Sequence, residues 1–256
     1  MRRGVIVLTE GRSGSNWLGT LARSAGLGNS GEWLDKAHLG VSPRRVNFET
    51  YYDAIMKRAS SDGHDFYIKI FPRHLFSLKR FYKQDFLREF LERNKTELVL
   101  LTRRERLLQA ISFSRGLQSQ QWTSLGQPKR EVVYDFDQIC RCYFMIGRSY
   151  DFWESWVTML GQPARRFVYE DLLDDPSPFL NHIADAMGKP HPENAVTDLR
   201  VQRDDVTAEW AARFKKDLKE RDFLLNLTPS RPPVANLSNI GRIIARKPMK
   251  PLPYSY

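Results

Sequence analysis

The sequence predicts an α/β fold of three layers, a central parallel sheet flanked by helices, and three observations predict it. Four short apolar runs, at residues 4–8, 66–71, 97–101 and 166–169, have the length and composition of buried strands. Each precedes a loop and then a helix-like pattern, an alternation that gives parallel strands with helices on both faces. The 256 residues, 41% apolar and 27% charged, are enough for one large soluble core.

Taken in order, the first strand enters "TEGRSGSNWLGTL", residues 9–21, where Trp17, Leu18, Leu21, Ala22 and Ala25 form one helical face that Gly26 and Gly28 end. Phe86, Leu87, Phe90 and Leu91 mark a second helix before a turn at Asn94 and Lys95. After the third strand, Leu107, Leu108, Ile111 and Leu117 mark another, and a long helix covers 136–160. The stretch "FVYEDLLDDP", residues 167–176, reads as the last strand, an acidic turn and the start of a further helix that its carboxylates cap. Residues 1–225 are read as one domain. Residues 226–256, rich in proline and basic residues with little periodicity, are read as a tail that is extended over it or partly disordered.

The formal charge of +10 asks for an acidic partner: nucleic acid, an anionic membrane surface or a polyanionic small molecule. No run approaches the roughly 20 apolar residues of a membrane span. The N-terminal apolar run is only four residues long, so a cytoplasmic protein is expected. Cys140 and Cys142 lie too close for an easy disulfide and are read as reduced core thiols.

The loop after the first strand has the chemistry of an anion cradle. Gly11 and Gly14 let the backbone approach a tetrahedral anion, Ser13, Ser15 and Asn16 add donors, and Arg12 adds a charged fork. A helix beginning near residue 14 points its unpaired N–H groups at the same place. The Gly-Lys-Ser/Thr that holds ATP and magnesium is missing, since Gly14 is followed by Ser15 and Asn16. A second cluster follows the third strand, where Arg103 and Arg104 precede Ser112 by about two helical turns. An arginine and a serine so placed can share a second phosphate, and the two sites together suit a nucleotide phosphorylated at its 5′ and 3′ ends.

These stretches make the sequence resemble the sulfotransferases that use 3′-phosphoadenosine-5′-phosphosulfate (PAPS), in particular the bacterial trehalose 2-sulfotransferase family. The resemblance rests on "RSGS" at 12–15, "GEWL" at 31–34, "QAISFSRGLQSQQW" at 109–122 and "VQRDDVTAEWAARF" at 201–214, in the family's order. It implies a P-loop-like fold and places the 5′-phosphosulfate loop on Arg12, Ser13, Gly14, Ser15 and Asn16. The 3′-phosphate pair falls on Ser112 and an arginine; the eight-residue spacing picks Arg104, slightly favoured, and direct alignment picks Arg103. Glu32 matches the family's general base. Gln202 and Arg203 fall on a segment that closes over the nucleotide, although the family's preceding arginine is Val201 here.

Many cytosolic sulfotransferases carry a histidine just after a strand lysine. "YIKIFPRHL" keeps Lys69, a candidate to stabilise the bridging oxygen or to bind acceptor, but has Phe71 where that histidine would stand. His74 is a weaker candidate base, and His38 is weighed in the same way. Trp33 and Trp122 suit either sugar stacking or the core. Arg115 and Gln118 follow Ser112 on the same helix, and Arg115 shares its face.

The resemblance implies an enzyme that moves the sulfuryl group of PAPS to a carbohydrate or glycolipid hydroxyl, leaves 3′,5′-adenosine bisphosphate and needs no metal. No nucleic-acid partner is expected. Peripheral contact with the inner face of the membrane, through residues 242–250, and a homodimer are further expectations. The rival readings are a P-loop-type kinase, disfavoured by the missing lysine, and a basic nucleic-acid-binding module, disfavoured because the basic residues are spread along the chain.

Overall fold

The computed structural model describes residues 1–199 and 204–220. Its sheet has four strands, β1 (Arg3–Leu8), β2 (Asp65–Ile70), β3 (Lys95–Thr102) and β4 (Ala164–Val168), in the order β2-β1-β3-β4. All neighbours are parallel, with Val7 beside Lys69 on one side and Val99 on the other. The chain leaves β1 for β2 on one flank and then returns for β3 on the other. That reversal makes the carboxyl end of β1 a topological switch point, where open α/β sheets bind ligands.

Alternation along the strands supplies both apolar faces. Ile6, Leu8, Phe66, Ile68, Ile70, Leu98 and Leu100 face one core, with α3 (Phe48–Ala59), α5 (Phe86–Arg93) and α7 (Phe136–Met159). Val5, Val7, Tyr67, Val99 and Leu101 face the other, with α1 (Ser15–Ser24) and α8 (Ser177–Met187). The expected three-layer parallel fold is therefore the observed one. Between β3 and α7, α6 (Arg106–Ser119) packs along α7, with Leu117 exposed although it continues the helix's apolar pattern. Cys140 and Cys142 are buried on α7, and burial pushes the Cys142 thiol up to about 11.

Of the helices before β3, α2 (Lys36–Leu39), α3 and α4 (Pro72–Leu78) were not anticipated. The longest, α3, buries Phe48, Tyr51, Tyr52, Ile55, Met56 and Ala59, and Asn47 caps it by accepting the Thr50 N–H at 2.9 Å. After β4 a 3₁₀ turn, Tyr169–Leu172, leads to α8, where Asp175 accepts the Ser177 N–H at 2.9 Å. The last described helix is α9 (Asp205–Glu220). The described residues form one compact unit over Met1–Ala211 and the beginning of a second at Ala212. The domain boundary expected at 225 lies outside the described residues.

Candidate active site

The loop from β1 to α1 is fixed from behind. Thr9 donates its hydroxyl to the Leu101 carbonyl (2.7 Å), Trp153 donates to the Thr9 carbonyl (2.9 Å), and Gln109 donates to the Gly11 carbonyl (2.9 Å). Arg12 and Gly14 both take left-handed backbone angles, φ 63° and 83°. Loops that alternate into this region turn successive N–H groups toward an anion. Gly14 is obligatory twice over, by its φ and because a Cβ there would enter the Tyr169 ring. No side chain caps α1 and no acidic residue stands in its first turn, so the dipole and the orphan N–H groups of Ser15 and Asn16 open toward a cavity that these residues line.

Ser13 departs from expectation. It is fully buried, bonded to the Thr9 hydroxyl at 2.8 Å, and its side chain does not line the cavity. It shapes the loop rather than contributing a side-chain donor.

Arg12 reaches across to α6, donating through Nε to Ser112 Oγ (2.8 Å) and through Nη1 to the Trp122 carbonyl (2.5 Å). Arg103, just past β3, donates to the Arg12 carbonyl (3.1 Å) and to Glu170 (3.3 Å), with its guanidinium 5.3 Å from the Tyr169 ring centre. Arg12, Arg103 and Ser112 line one cavity. Burial first, then the charges of Arg103 and Arg115, push the Arg12 guanidinium down to about 10. Cations that depress one another in this way are relieved by a bound anion.

Arg104, the arginine slightly favoured by spacing, does not line this cavity. It is exposed and pairs with Asp171 at 2.6 Å, while its N–H donates to Glu170 at 2.8 Å. Consecutive residues leaving a strand point to opposite sides, so only one of the two faces the ligand space. The geometry favours Arg103.

On the other side of the loop, Lys69 is buried on the face of β2 that looks toward α1. Its ammonium bonds Asn16 Oδ1 and stands 3.5 Å from Glu32 Oε1. Burial holds the Lys69 pKa below its usual value, and Glu32 opposes that shift. Glu32 is held near β2 because the Gly31 carbonyl accepts the Lys69 N–H at 3.0 Å. Its second oxygen lies 3.9 Å from Arg73 and 3.8 Å from His74 Nε2.

His74 is not placed as a base. Its Nδ1 accepts the Phe71 N–H at 3.3 Å, which leaves the proton on Nε2, and the ring does not line the cavity. Burial, then Arg73, Lys69 and His38, hold its pKa well below the ordinary value. His38 does line the cavity, as do Trp33 and Trp122.

Two site residues escaped the sequence reading. Glu10 is buried and accepts from Gly11 N (2.7 Å), Ser149 (2.8 Å) and Arg73, so it ties the loop to α7 and to the start of α4. Tyr169 walls the cradle. Both sat in stretches read for other features. Conversely, Arg115 and Gln118 face elsewhere: Arg115 forks onto Asp204 (2.7 Å twice) and Thr207 (2.7 Å) at the start of α9, and Gln118 bonds Gln138 (2.7 Å). Gln202 and Arg203 lie outside the described residues.

A parallel sheet whose inner strand β1 empties into a cationic, N–H-lined loop beside a cavity of about 710 Å³ defines a P-loop-like α/β protein whose loop has the chemistry of an anion site. The family follows from comparison. A family model described as Stf0 sulphotransferase matches residues 79–217, more than half of the chain, and the chain belongs to that family, the trehalose 2-sulfotransferase family. The match includes Arg103 and Ser112; the cradle, Glu32 and Lys69 precede it. No curated protein matches the chain.

Proposed function

We propose that this sulfotransferase moves the sulfuryl group of PAPS to a carbohydrate hydroxyl, on a free sugar or a glycolipid, and releases 3′,5′-adenosine bisphosphate. The observation that carries the reading is the position of Lys69, which touches Asn16 of the anion loop on one side and Glu32 on the other. One cation thus joins the donor side of the cavity to a carboxylate suited to the acceptor.

The residues present fit the donor. Arg12, Gly14, Ser15 and Asn16 receive the 5′-phosphosulfate, and Arg103 with Ser112 receives the 3′-phosphate, both groups lining the same cavity. Bound there, PAPS supplies an electrophilic sulfur on a phosphate leaving group. Glu32 takes the proton of the attacking hydroxyl as the new S–O bond forms. Lys69 and Arg12 neutralise charge that builds on the bridging oxygen as the old S–O bond breaks, work done elsewhere by a metal and a P-loop lysine. Trp33 and Trp122 offer ring faces to a pyranose. On this reading residues 1–225 are the catalytic domain, residues 226–256 a separate tail, and the enzyme works in the cytoplasm as a homodimer.

A ligand that binds the native state raises its melting temperature by mass action. A thermal shift with 3′,5′-adenosine bisphosphate, larger than with ADP or magnesium-ATP, is expected, followed by transfer of labelled sulfate from PAPS to a panel of sugars. A shift with magnesium-ATP alone would return the kinase reading.

A further inference from the structure

Away from the active site, two exposed basic segments are tied together. Residues 42–47 read Ser-Pro-Arg-Arg-Val-Asn and residues 77–84 read Ser-Leu-Lys-Arg-Phe-Tyr-Lys-Gln, with five cations and no carboxylate between them. The Tyr82 hydroxyl joins them, 3.1 Å from both the Pro43 and the Val46 carbonyls. Between them lies an open groove of about 610 Å³, lined by Arg44, Arg80, Lys83 and Phe81. Phe81 is 38% exposed, with the Arg44 guanidinium 5.7 Å from its ring centre. The nearby carboxylates are committed elsewhere: Glu49 to Arg93 at 2.6 Å, and Asp85 to the Leu87 N–H at 2.9 Å, capping α5.

The groove is joined to the acceptor side of the cavity by short, ordered chain. His38 and Asp35 line the cavity, and the chain reaches Pro43 five residues after His38. Arg73 also lines it, and α4 carries the chain from there to the second basic segment over seven residues, about 10 Å.

We propose that this groove docks the protein on an anionic lipid surface, with Arg44, Arg80 and Lys83 on lipid phosphates and Phe81 in the headgroup layer. Cations beside an exposed aromatic are what such an interface selects, since the charges meet lipid phosphate and the ring takes the apolar boundary. These short chain connections to the acceptor side of the cavity suit a lipid-borne sugar. The docking itself does not depend on the proposed chemistry.

The test is flotation of the full chain with phosphatidylcholine vesicles, with and without phosphatidylglycerol. Neither donor nor turnover is needed, so failure of the catalytic reading leaves the result interpretable. Binding only to the anionic vesicles, weakened by salt, is expected. R44Q/R80Q/K83Q should weaken it on the order of a hundredfold, and F81S by less. Both variants should keep the circular dichroism spectrum and the melting temperature of the wild type without any ligand, which shows that they fold. No binding by the wild type, or undiminished binding by the folded triple variant, overturns the proposal. Binding instead to a single-stranded oligonucleotide, abolished by the same triple substitution, would also overturn it and assign the groove to nucleic acid.

Discussion

Glu32 and Lys69 stand 3.5 Å apart, carboxylate to ammonium, and the same ammonium bonds Asn16. The loop after α1 and the first turn of α1 therefore meet on one buried cation carried by β2. Both residues are largely withdrawn from water, where attraction between opposite charges is stronger than at an exposed surface. Arg73 and His74 close the other side of Glu32 at 3.9 and 3.8 Å, so the carboxylate is positioned by three neighbours before any acceptor arrives.

Glu32→Gln keeps the shape of this cluster and removes the proton acceptor. Turnover should fall about 10²- to 10⁴-fold, the span of general base catalysis. Affinity for 3′,5′-adenosine bisphosphate should hardly change. Steady-state kinetics and calorimetry on the same preparation check both, and unchanged turnover would remove Glu32 from the mechanism.

Arg103→Ala should weaken 3′,5′-adenosine bisphosphate by about 10- to 100-fold while weakening a nucleotide without the 3′-phosphate much less, as expected for loss of a charge-assisted hydrogen bond. Arg104→Ala removes a solvent-exposed pair with Asp171 and should leave both affinities nearly unchanged. Titration of the two variants with the two nucleotides distinguishes the arginines. The reverse pattern would restore Arg104 to the site.

Gly14→Ala forces a Cβ into the Tyr169 ring at a left-handed backbone position. A loss of about 2 kcal/mol in urea unfolding is expected, from strain and overpacking together. Nucleotide binding should fall with it, because the same turn presents the helix N-terminus. A fully stable variant that still binds nucleotide would contradict this account of the loop.

His74 gives the protein a pH dependence of known sign. Its folded pKa lies well below 6.5, so as the pH falls through that value the unfolded chain gains a proton that the folded chain refuses. Stability should decline there by up to about 1.4 kcal/mol per pH unit from this group, until its folded pKa is reached. His74→Gln, which retains an amide N–H, should lose that share of the slope. Urea midpoints at pH 7 and pH 5 for both proteins provide the comparison, and parallel slopes would mean that His74 protonates without cost in the fold.

The sheet was legible because its information is local. Val5 to Leu8, Phe66 to Ile70 and Leu98 to Leu101 carry runs of strand length, and β1, β2 and β3 extend them by one to three residues at the start, with β3 also taking in Thr102 at its end. The anion loop was legible for the same reason, since Gly11, Arg12 and Gly14 act through the backbone that they themselves form. In α3 the apolar positions and the Asn47 cap were also present in the sequence, although that stretch was not read as a helix.

By itself, then, the sequence determined the order of strands and helices, the cradle after β1, and the residue types of a sulfotransferase site. Only the tertiary structure decided which of them meet. That Arg103 rather than Arg104 faces the cavity, that Ser13 turns inward to Thr9, that Arg115 serves Asp204, and that Glu10 binds Arg73 from 63 residues away all depend on how strands pair and which side of a strand end a residue occupies. Spacing along a chain constrains contacts within one helix or turn. Contacts between elements are fixed by the register of the sheet and by the packing of helices across its two faces, to which local periodicity is blind.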